Sequence, residues 1–369
     1  MNILFYYPDK EKSVVLSSQM IAFQKQGHKV FLLTQAPEGD LHTDVKGYGV
    51  QTFNYPVKKK LSFFFYLKHI RFLISFVKKN KIDIVYSHIQ QANLISSIAQ
   101  YFTSARFILC RHHSDCTFVD YNFNERTADR IINLLGKEFI VPSKKVYDQL
   151  VKVEKVKNKK IHFIRYTYDF EQYPKADPVI VEHLKKTYNA KLLLLKVARL
   201  IPEKRHILLF QTVLKLVNKG FDIKLLVLSE GNQWDNLKKF INTNNLQNHI
   251  FMLGYRTDVM NFIAASDMVV HVSESEASNN FAKEVGLLKK PLIICNDVGD
   301  FDEYLLNMHN AIIIDKNNPS PQLENTISAI YRKDISINKL GEELYKTVIS
   351  RFSIKNLINE YDQLNAERT

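Results

Sequence analysis

Residues 271–303 read HVSESEASNNFAKEVGLLKKPLIICNDVGDFDE. The apolar run Met268 to Val272 predicts a buried strand, and Phe281 to Leu288 predicts a helix with its apolar residues on one face. A helix that starts at the polar loop between them directs free backbone N–H groups and the positive end of its dipole toward an anionic ligand. A second strand at 291–294 and a second polar loop at 296–303 follow. Two such units in succession predict a nucleotide or sugar pocket at the edge of a parallel sheet.

Two glutamates lie at this predicted pocket. Glu276 falls in the loop, and Glu284 falls about one turn into the helix, so both can face the same ligand. Glutamate is also common in the first turns of helices because it favours the dipole. The spacing alone therefore leaves an ordinary structural role open.

The start of the chain predicts the same kind of fold. Residues 2–7 predict a strand, 14–25 a helix and 27–33 a turn into a second strand, which together form a βαβ unit of a parallel, doubly wound sheet. The three spaced glycines of a dinucleotide-binding turn are absent from the loop between the first strand and helix, which reads PDKEKSVVLSS. An NAD-binding role therefore loses its main support.

Composition limits the remaining classes. A chain of 369 residues with 46% hydrophobic and 24% charged residues is long enough for two cores. Three cysteines argue against a disulfide framework. We recognise no signal peptide in the first residues and no apolar run of the roughly 20 residues that span a bilayer. We therefore expect a cytoplasmic protein, either free or at the inner face of the cell membrane.

The net charge of +13 is concentrated in the first half. Residues 1–188 carry 29 Lys and Arg against 17 Asp and Glu, whereas the remainder carries 22 against 21. This asymmetry is typical of a polyanionic partner, either a nucleic acid or an acidic membrane. The segment 57–81, VKKKLSFFFYLKHIRFLISFVKKNK, mixes aromatic residues with lysines. It predicts either a core helix with solubilising ends or a helix that lies on an anionic bilayer.

Cations and histidines follow other predicted strands. Arg199 and Lys204 lie in a strand-to-helix loop, where they are either solvated surface charges or a clamp on a diphosphate. His112 and His113 follow the strand 106–110, at the end of a parallel strand where catalytic groups are usual. A zinc site that uses these histidines with Cys110 and Cys116 is disfavoured, because the spacing matches no known structural site.

These motifs together resemble the donor signature of the GT-B glycosyltransferases of family four, the glycosyl transferases group 1. The residues that carry the resemblance are Ser273, Glu276, Glu284, Pro291 and the run 298–303. The resemblance implies an α/β chain with two Rossmann-like, doubly wound parallel-sheet domains that face a cleft. It implies an N-terminal acceptor-binding domain at 1–173, a C-terminal nucleotide-sugar-binding domain at 174–350, and a helix at 351–369 that crosses back to the first domain.

The resemblance also implies an activity and a set of site residues. The activity is transfer of a hexose or N-acetylhexosamine, with retained configuration, from a UDP-sugar or GDP-sugar to a lipid-linked or saccharide acceptor in surface polysaccharide synthesis. Neither a cofactor nor a metal is expected, although Asp300-Phe301-Asp302 resembles the metal-binding Asp-x-Asp of another transferase fold. The implied catalytic residues are Arg199, Lys204, Glu276, His112 and His113; the donor side adds Glu284, Asn280, Phe281, Tyr255, Arg256 and Gly231; the acceptor side has Ser13, His88 and Arg111.

The first loop departs from the family. Family members usually carry a glycine pair there, whereas Lys12 and Ser13 occupy that neighbourhood in this chain. This departure keeps a second interpretation open, a non-catalytic module that binds a sugar nucleotide or a glycan. A nucleic-acid-binding protein that uses the basic first half is a third interpretation. We expect no nucleic-acid partner and a peripheral membrane contact through residues 57–81.

Overall fold

The computed structural model describes residues 1–56, 63–112, 123–276 and 278–366. The chain divides into two compact units. The first comprises Met1–Asp169 together with Phe352–Thr369, and the second comprises Phe170–Arg351. The predicted assignment of acceptor binding to the first domain and donor binding to the second stays a prediction.

The first unit contains a seven-stranded parallel sheet in the order β3-β2-β1-β4-β5-β6-β7. Central strand β1 sends alternate residues to opposite faces, so that Ile3 and Phe5 join one apolar cluster while Leu4 and Tyr6 join another. Both faces are therefore buried under helices. The strands are β1 Asn2–Tyr7, β2 Lys29–Thr34, β3 Gln51–Asn54, β4 Ile84–His88, β5 Arg106–Cys110, β6 Glu138–Val141 and β7 Ile161–Phe163.

The helices of the first unit include one from the end of the chain. Helix Ile354–Ala366 packs on helix Val14–Lys25, where Gln19 Nε2 donates to the Tyr361 hydroxyl at 2.8 Å. The Tyr86 hydroxyl also donates to Asn365 Oδ1 at 2.7 Å. The other α-helices are Asp40–Lys46, Phe63–Lys79, Ile89–Ala99, Phe123–Leu135 and Lys144–Asp148, with a π-helix at Gln149–Val153 and 3₁₀ turns at Gln100–Phe102 and Asn158–Lys160.

The second unit contains a six-stranded parallel sheet in the order β10-β9-β8-β11-β12-β13. Leu192 to Leu195 are buried because β8 lies between two neighbouring strands and under helices on both faces. The strands are β8 Leu192–Val197, β9 Ile223–Leu228, β10 Ile250–Met252, β11 Met268–His271, β12 Leu292–Cys295 and β13 Ile312–Ile314. The α-helices are Pro178–Thr187, His206–Asn218, Trp234–Thr243, Val259–Ala265, Asn280–Leu287, Pro319–Tyr331 and Asn338–Phe352, with 3₁₀ turns at Phe170–Gln172, Pro202–Lys204 and Phe301–Glu303.

This architecture confirms the predicted α/β class with two doubly wound parallel sheets. The bounds of several elements differ slightly from the prediction. Helix Asn280–Leu287, for example, begins one residue before the predicted start at Phe281. Its first residue is polar, so apolar periodicity could not find its start.

Helix Phe63–Lys79 covers most of the segment predicted to touch a membrane, while residues 57–62 lie outside the described ranges. Phe65, Leu73, Phe76 and Val77 are buried in the core of the first unit. Phe64, in contrast, is 70% exposed. Most of the apolar face expected at a bilayer is therefore used for packing. Within the described residues, every helix is too short or too polar to cross a bilayer.

Candidate functional site

The loop after β11 is folded back onto the end of its own strand. Asn279 caps helix Asn280–Leu287, since its Oδ1 accepts from the Ala282 N–H at 2.8 Å. The Asn279 side-chain amide also lies 3.0 Å from His271 Nε2. The cap therefore places the start of the helix close to the end of β11, while Ala277 lies outside the described residues.

Glu276 joins the two predicted halves of the donor site. Lys204 Nζ donates to Glu276 Oε1 at 2.6 Å and to the Ser275 carbonyl at 3.0 Å. His271 Nε2 lies 2.8 Å from the same carboxylate oxygen, so with Glu276 ionised this nitrogen carries the proton and donates. Residues that are 72 positions apart therefore meet at the carboxyl ends of β8 and β11.

The protonation states in this cluster follow from burial and charge. Burial tends to raise the pKa of Glu276, but the hydrogen bond from His271 and the charge of Lys204 outweigh it, and the pKa is lowered overall. Burial lowers the pKa of His271, and Glu276 offsets only part of this effect. The cluster therefore contains a carboxylate that stays ionised, with Lys204 as its neutralising cation.

A second ion pair anchors the other end of the loop. Lys283, which is fully buried, donates to Asp300 Oδ2, and Ser278 Oγ donates to the same oxygen at 2.7 Å. The Asn279 N–H donates to Asp300 Oδ1 at 3.3 Å. Burial lowers the pKa of Lys283, while Asp300 raises it. The loop is therefore held by Lys204 and His271 on one side and by the Lys283–Asp300 pair on the other.

The Asp-x-Asp sequence is part of this framework. Asp300 is paired with Lys283, and Asp302 Oδ2 accepts from the Asp297 N–H at 2.8 Å. Across the described ranges, no group of three or more His, Cys, Asp or Glu side chains is placed to hold a metal ion. The predicted independence from metal stays a prediction.

Glu284 lies on the first turns of the capped helix. It is half-buried, and burial raises the pKa of its carboxyl to about 7. The charge of Glu284 also contributes, after burial itself, to the raised pKa of Tyr173, so these two groups are neighbours. Phe281 is half-buried with its ring 6.0 Å from that of His271, and Asn280 is exposed. Glu284 is therefore positioned by the helix that Asn279 starts.

Arg199 follows β8 and is exposed. Within the described ranges, its guanidinium has no ion pair or side-chain hydrogen bond. Gly231 packs directly over this loop, where an added Cβ would lie 2.5 Å from the Leu200 carbonyl oxygen. The residue must therefore be glycine for the two loops to approach this closely.

The remaining donor-side residues lie after β10. Tyr255 is 70% exposed. Arg256 forms a two-point pair with Asp258, with distances of 2.8 and 2.9 Å from Nε and Nη2 to the two carboxylate oxygens. The arginine is therefore already held by its own loop.

Sequence reasoning did not identify two buried groups beneath the Glu276 cluster. Lys196 in β8 is fully buried, its Nζ has no hydrogen-bond partner within the described ranges, and burial lowers its pKa to about 7. His206 at the start of helix His206–Asn218 is also buried, and burial is the main cause that lowers its pKa. A lysine inside the run LLLLKV is the signal that could have identified the first of them.

In the first unit, His88, His112 and Tyr166 form a line of contacts. His88 Nδ1 lies 3.1 Å from His112 Nε2, and His112 Nδ1 is hydrogen-bonded to the Tyr166 hydroxyl. The rings are stacked, with centroids 5.2 and 5.5 Å apart. Both ring nitrogens of His112 are therefore engaged inside the unit. His113 lies outside the described residues.

The other two acceptor-side residues have structural partners. Ser13 caps helix Val14–Lys25, with its Oγ accepting from the Leu16 N–H at 3.5 Å. Arg111 is buried, and its guanidinium lies 3.3 Å from Asp129 Oδ1 and 3.0 Å from Glu154 Oε2. Their assignment to an acceptor site stays a prediction.

Models of two glycosyltransferase groups match successive parts of the chain. The model described as Glycosyltransferase Family 4 matches residues 13–172, and the model described as Glycosyl transferases group 1 matches residues 182–347. Only the two ends and residues 173–181 lie outside these matches.

Similar proteins include two from Staphylococcus aureus. The capsular polysaccharide biosynthesis glycosyltransferase CapM is 23% identical over 319 residues, which are 84% of this chain and 83% of that protein. The poly(ribitol-phosphate) alpha-N-acetylglucosaminyltransferase of strain COL is 20% identical over 183 residues, which are 50% of this chain but only 37% of that enzyme's length. The match to this second relative thus leaves most of it uncovered.

A similar solved structure is that of Anabaena HepE in complex with UDP-glucose. It aligns with a TM-score of 0.82 at 17% identity and covers 100% of both chains. At this identity the likeness shows the fold, which agrees with the two parallel sheets described above. The chain belongs to the GT-B glycosyltransferases of family four, the glycosyl transferases group 1.

Proposed function

We propose that the protein transfers a hexose or N-acetylhexosamine from a nucleotide-sugar to a saccharide or lipid-linked acceptor in surface polysaccharide synthesis. The favoured donor is a UDP-sugar, with a GDP-sugar as the alternative. The anomeric configuration of the sugar is retained. The observation that carries this proposal is the 2.6 Å contact between Lys204 and Glu276, which lies beside the start of helix Asn280–Leu287.

This arrangement provides the charges that sugar transfer requires. The leaving group is a nucleoside diphosphate whose negative charge grows as the sugar bond breaks. Lys204 and the exposed Arg199 supply positive charge at the carboxyl end of β8, and the start of helix Asn280–Leu287 adds the positive end of the helix dipole. Cations placed in advance stabilise the transition state more than the ground state.

The carboxylates serve recognition in this proposal. Glu276 accepts from hydroxyls of the sugar, and Glu284 accepts from the ribose hydroxyls. Because Lys204 and His271 hold Glu276, its carboxylate has a fixed orientation toward the donor in this proposal. Glu284, whose pKa is raised to about 7, accepts hydrogen bonds from both hydroxyls only in its ionised form.

The comparisons support the donor and the process. HepE was crystallised with UDP-glucose, and CapM is named for capsular polysaccharide biosynthesis. The engagement of Asp300 and Asp302 within the loop framework supports a metal-independent reaction. Membrane contact through residues 57–81 stays a prediction, with Lys68, Arg71, Lys78 and Lys79 as the exposed cations of its described part.

The test is release of nucleoside diphosphate from a panel of nucleotide-sugars with Lys204→Met and Glu276→Gln variants. The matched controls are Lys238→Met and Glu182→Gln, which are substitutions at exposed positions of the same unit. We expect a loss of about 100-fold or more in kcat/KM for each site variant and no change for the controls. A wild-type protein that binds UDP but releases no diphosphate from any donor would support the non-catalytic module instead.

A further inference from the structure

A cavity of about 540 Å³ lies in the first unit, and its lining residues differ from those assigned above to donor and acceptor. Its walls are the outer side of helix Phe123–Leu135 and the segment 153–160. The helix contributes Arg130 and Leu134, and the segment contributes Val153, Lys155 and Lys157. The cavity therefore combines exposed cations with exposed aliphatic side chains.

The cations at this cavity are not neutralised by the carboxylates beneath them. Asp129 and Glu154 lie on the wall of the cavity, but both are paired with the buried Arg111. Arg130, Lys155 and Lys157 are exposed, and within the described ranges none of their side chains forms an ion pair or a hydrogen bond. The wall also includes Arg126 and Lys160. An anion that enters the cavity thus meets the charges of Arg130, Lys155 and Lys157, which form no ion pair within the described ranges.

The aliphatic side chains indicate what kind of anion this is. Leu134 is 77% exposed and Val153 is 55% exposed, and both border the cavity. Ile131, one turn before Leu134 on the same helix, is 37% exposed. A soluble polyanion would gain nothing from these groups, whereas a lipid offers a phosphate to the cations and acyl chains to the aliphatic residues.

We propose that this cavity seats the phosphate of an anionic phospholipid and attaches the first unit to a membrane surface. Arg130, Lys155 and Lys157 contact the headgroup, while Leu134 and Val153 enter the boundary between headgroups and acyl chains. This surface differs from helix Phe63–Lys79, whose aromatic residues Phe65 and Phe76 are buried in the core. The proposal concerns membrane attachment and does not depend on the identity of the sugar donor.

The test measures sedimentation of the full chain with vesicles of phosphatidylglycerol and phosphatidylcholine, compared with vesicles of phosphatidylcholine alone. Each cation near an anionic surface contributes about 1 kcal/mol, which is about a fivefold change in partitioning. The triple variant Arg130→Gln/Lys155→Gln/Lys157→Gln should therefore bind the mixed vesicles on the order of 100-fold more weakly. The Leu134→Ser/Val153→Ser variant should keep the preference for phosphatidylglycerol but lose the binding that persists at high salt.

The matched control is Lys68→Gln/Arg71→Gln/Lys78→Gln, which removes the same charge from exposed positions of helix Phe63–Lys79 and so tests the competing membrane surface predicted from the sequence. We expect a loss of no more than about fivefold for this control, from long-range charge alone. The proposal would be overturned if the control lost more vesicle binding than the cavity variant, or if the wild type did not bind the mixed vesicles. Binding to duplex DNA with the same loss in the cavity variant, and no binding to vesicles, would assign the surface to nucleic acid instead.

Each variant must also retain its fold. Circular dichroism and thermal melting should match the wild type, because the three substituted cations are exposed and their side chains form no ion pair or hydrogen bond with the described residues. Nucleoside diphosphate release in the absence of vesicles should also be unchanged. This readout separates failure of the membrane proposal from failure of the proposed transferase activity.

Discussion

Replacement of the buried Lys196 by methionine should stabilise the second unit. Lys196 is fully buried in β8, its Nζ has no hydrogen-bond partner within the described ranges, and burial lowers its pKa to about 7. Each unit of pKa displacement corresponds to about 1.4 kcal/mol. From the ordinary value of 10.5 down to about 7, the displacement represents a cost of about 4 to 5 kcal/mol for burying the charged form. Methionine has a similar length and no charge, so the Lys196→Met variant should recover about 3 to 5 kcal/mol near neutral pH.

The pH dependence gives this prediction a second signature. Because the folded-state pKa lies below the unfolded one, the unfolded chain binds one more proton than the folded chain between these two values. The free energy of unfolding of the wild type should therefore rise by about 1.4 kcal/mol per pH unit from about pH 7 toward 10.5. The methionine variant should lack this contribution. Its advantage should be greatest at or below about pH 7 and should shrink as the pH approaches 10.5.

The fluorescence of Trp234 is a suitable assay, because it is the only tryptophan in the chain and lies in the second unit. Urea unfolding is followed at several pH values for the wild type, for Lys196→Met and for the exposed control Lys238→Met. The control should change the unfolding free energy by less than about 0.5 kcal/mol. If Lys196→Met is no more stable than the wild type, or shows the same slope with pH, the lysine is not an unpaired buried charge and the reasoning is refuted.

Three further predictions test the framework of the site. Glu284→Gln should have no effect on the free energy of unfolding below about pH 4.5 and should raise it by about 3 kcal/mol at about pH 8, because the cost of ionising the folded carboxyl accumulates from pH 4.5 to about 7. The same variant should bind a UDP-sugar at least about tenfold more weakly, as calorimetry will show. Asp300→Ala should lower the free energy of unfolding by about 3 to 5 kcal/mol, because it leaves the charge of Lys283 buried without its ion-pair partner. The double variant Lys283→Met/Asp300→Leu should recover most of this loss when unfolding is followed by Trp234 fluorescence. If it does not, the loss is not caused by an uncompensated charge. Gly231→Ala should destabilise the second unit by about 1 to 3 kcal/mol, because the added Cβ would lie 2.5 Å from the Leu200 carbonyl oxygen. The control is Gly47→Ala, whose added Cβ has no atom within 4 Å and whose φ is −59°, and it should leave thermal melting unchanged. Equal effects of the two substitutions would argue against the close approach at Gly231.

Local pattern was sufficient for most strands and for the class of fold. Leu192 to Leu195 are consecutive apolar residues, which is what a strand buried on both faces requires, and the structure places them in the centre of a parallel sheet. The pattern was less reliable at the ends of helices, because those ends depend on capping contacts rather than on periodicity. Asn279, which starts helix Asn280–Leu287 through its contact with Ala282, illustrates the difference.

The amphipathic segment 57–81 shows why composition alone was insufficient for assigning a surface. Its phenylalanines suit either a core or a bilayer, and the sequence does not state which neighbours they have. In the folded chain, Phe53 and Phe76 lie with ring centroids 5.0 Å apart, and Phe31 and Phe76 lie 6.3 Å apart. Phe76 thus lies in one core with Phe31 of β2 and is partly covered by Phe53 of β3, whereas exposed aliphatic groups beside cations lie at Leu134 and Val153.

The sequence by itself determined the alternation of strands and helices, because burial periodicity is a local property, and it determined which residue types lie at the ends of the strands. Only the tertiary structure decided which of these residues meet. Lys204 and Glu276 come together because β8 and β11 are neighbours in the sheet, and Lys283 meets Asp300 because β12 lies beside β11. Contacts across a sheet depend on strand order, which no local pattern contains, and the burial of Lys196 follows from the same order.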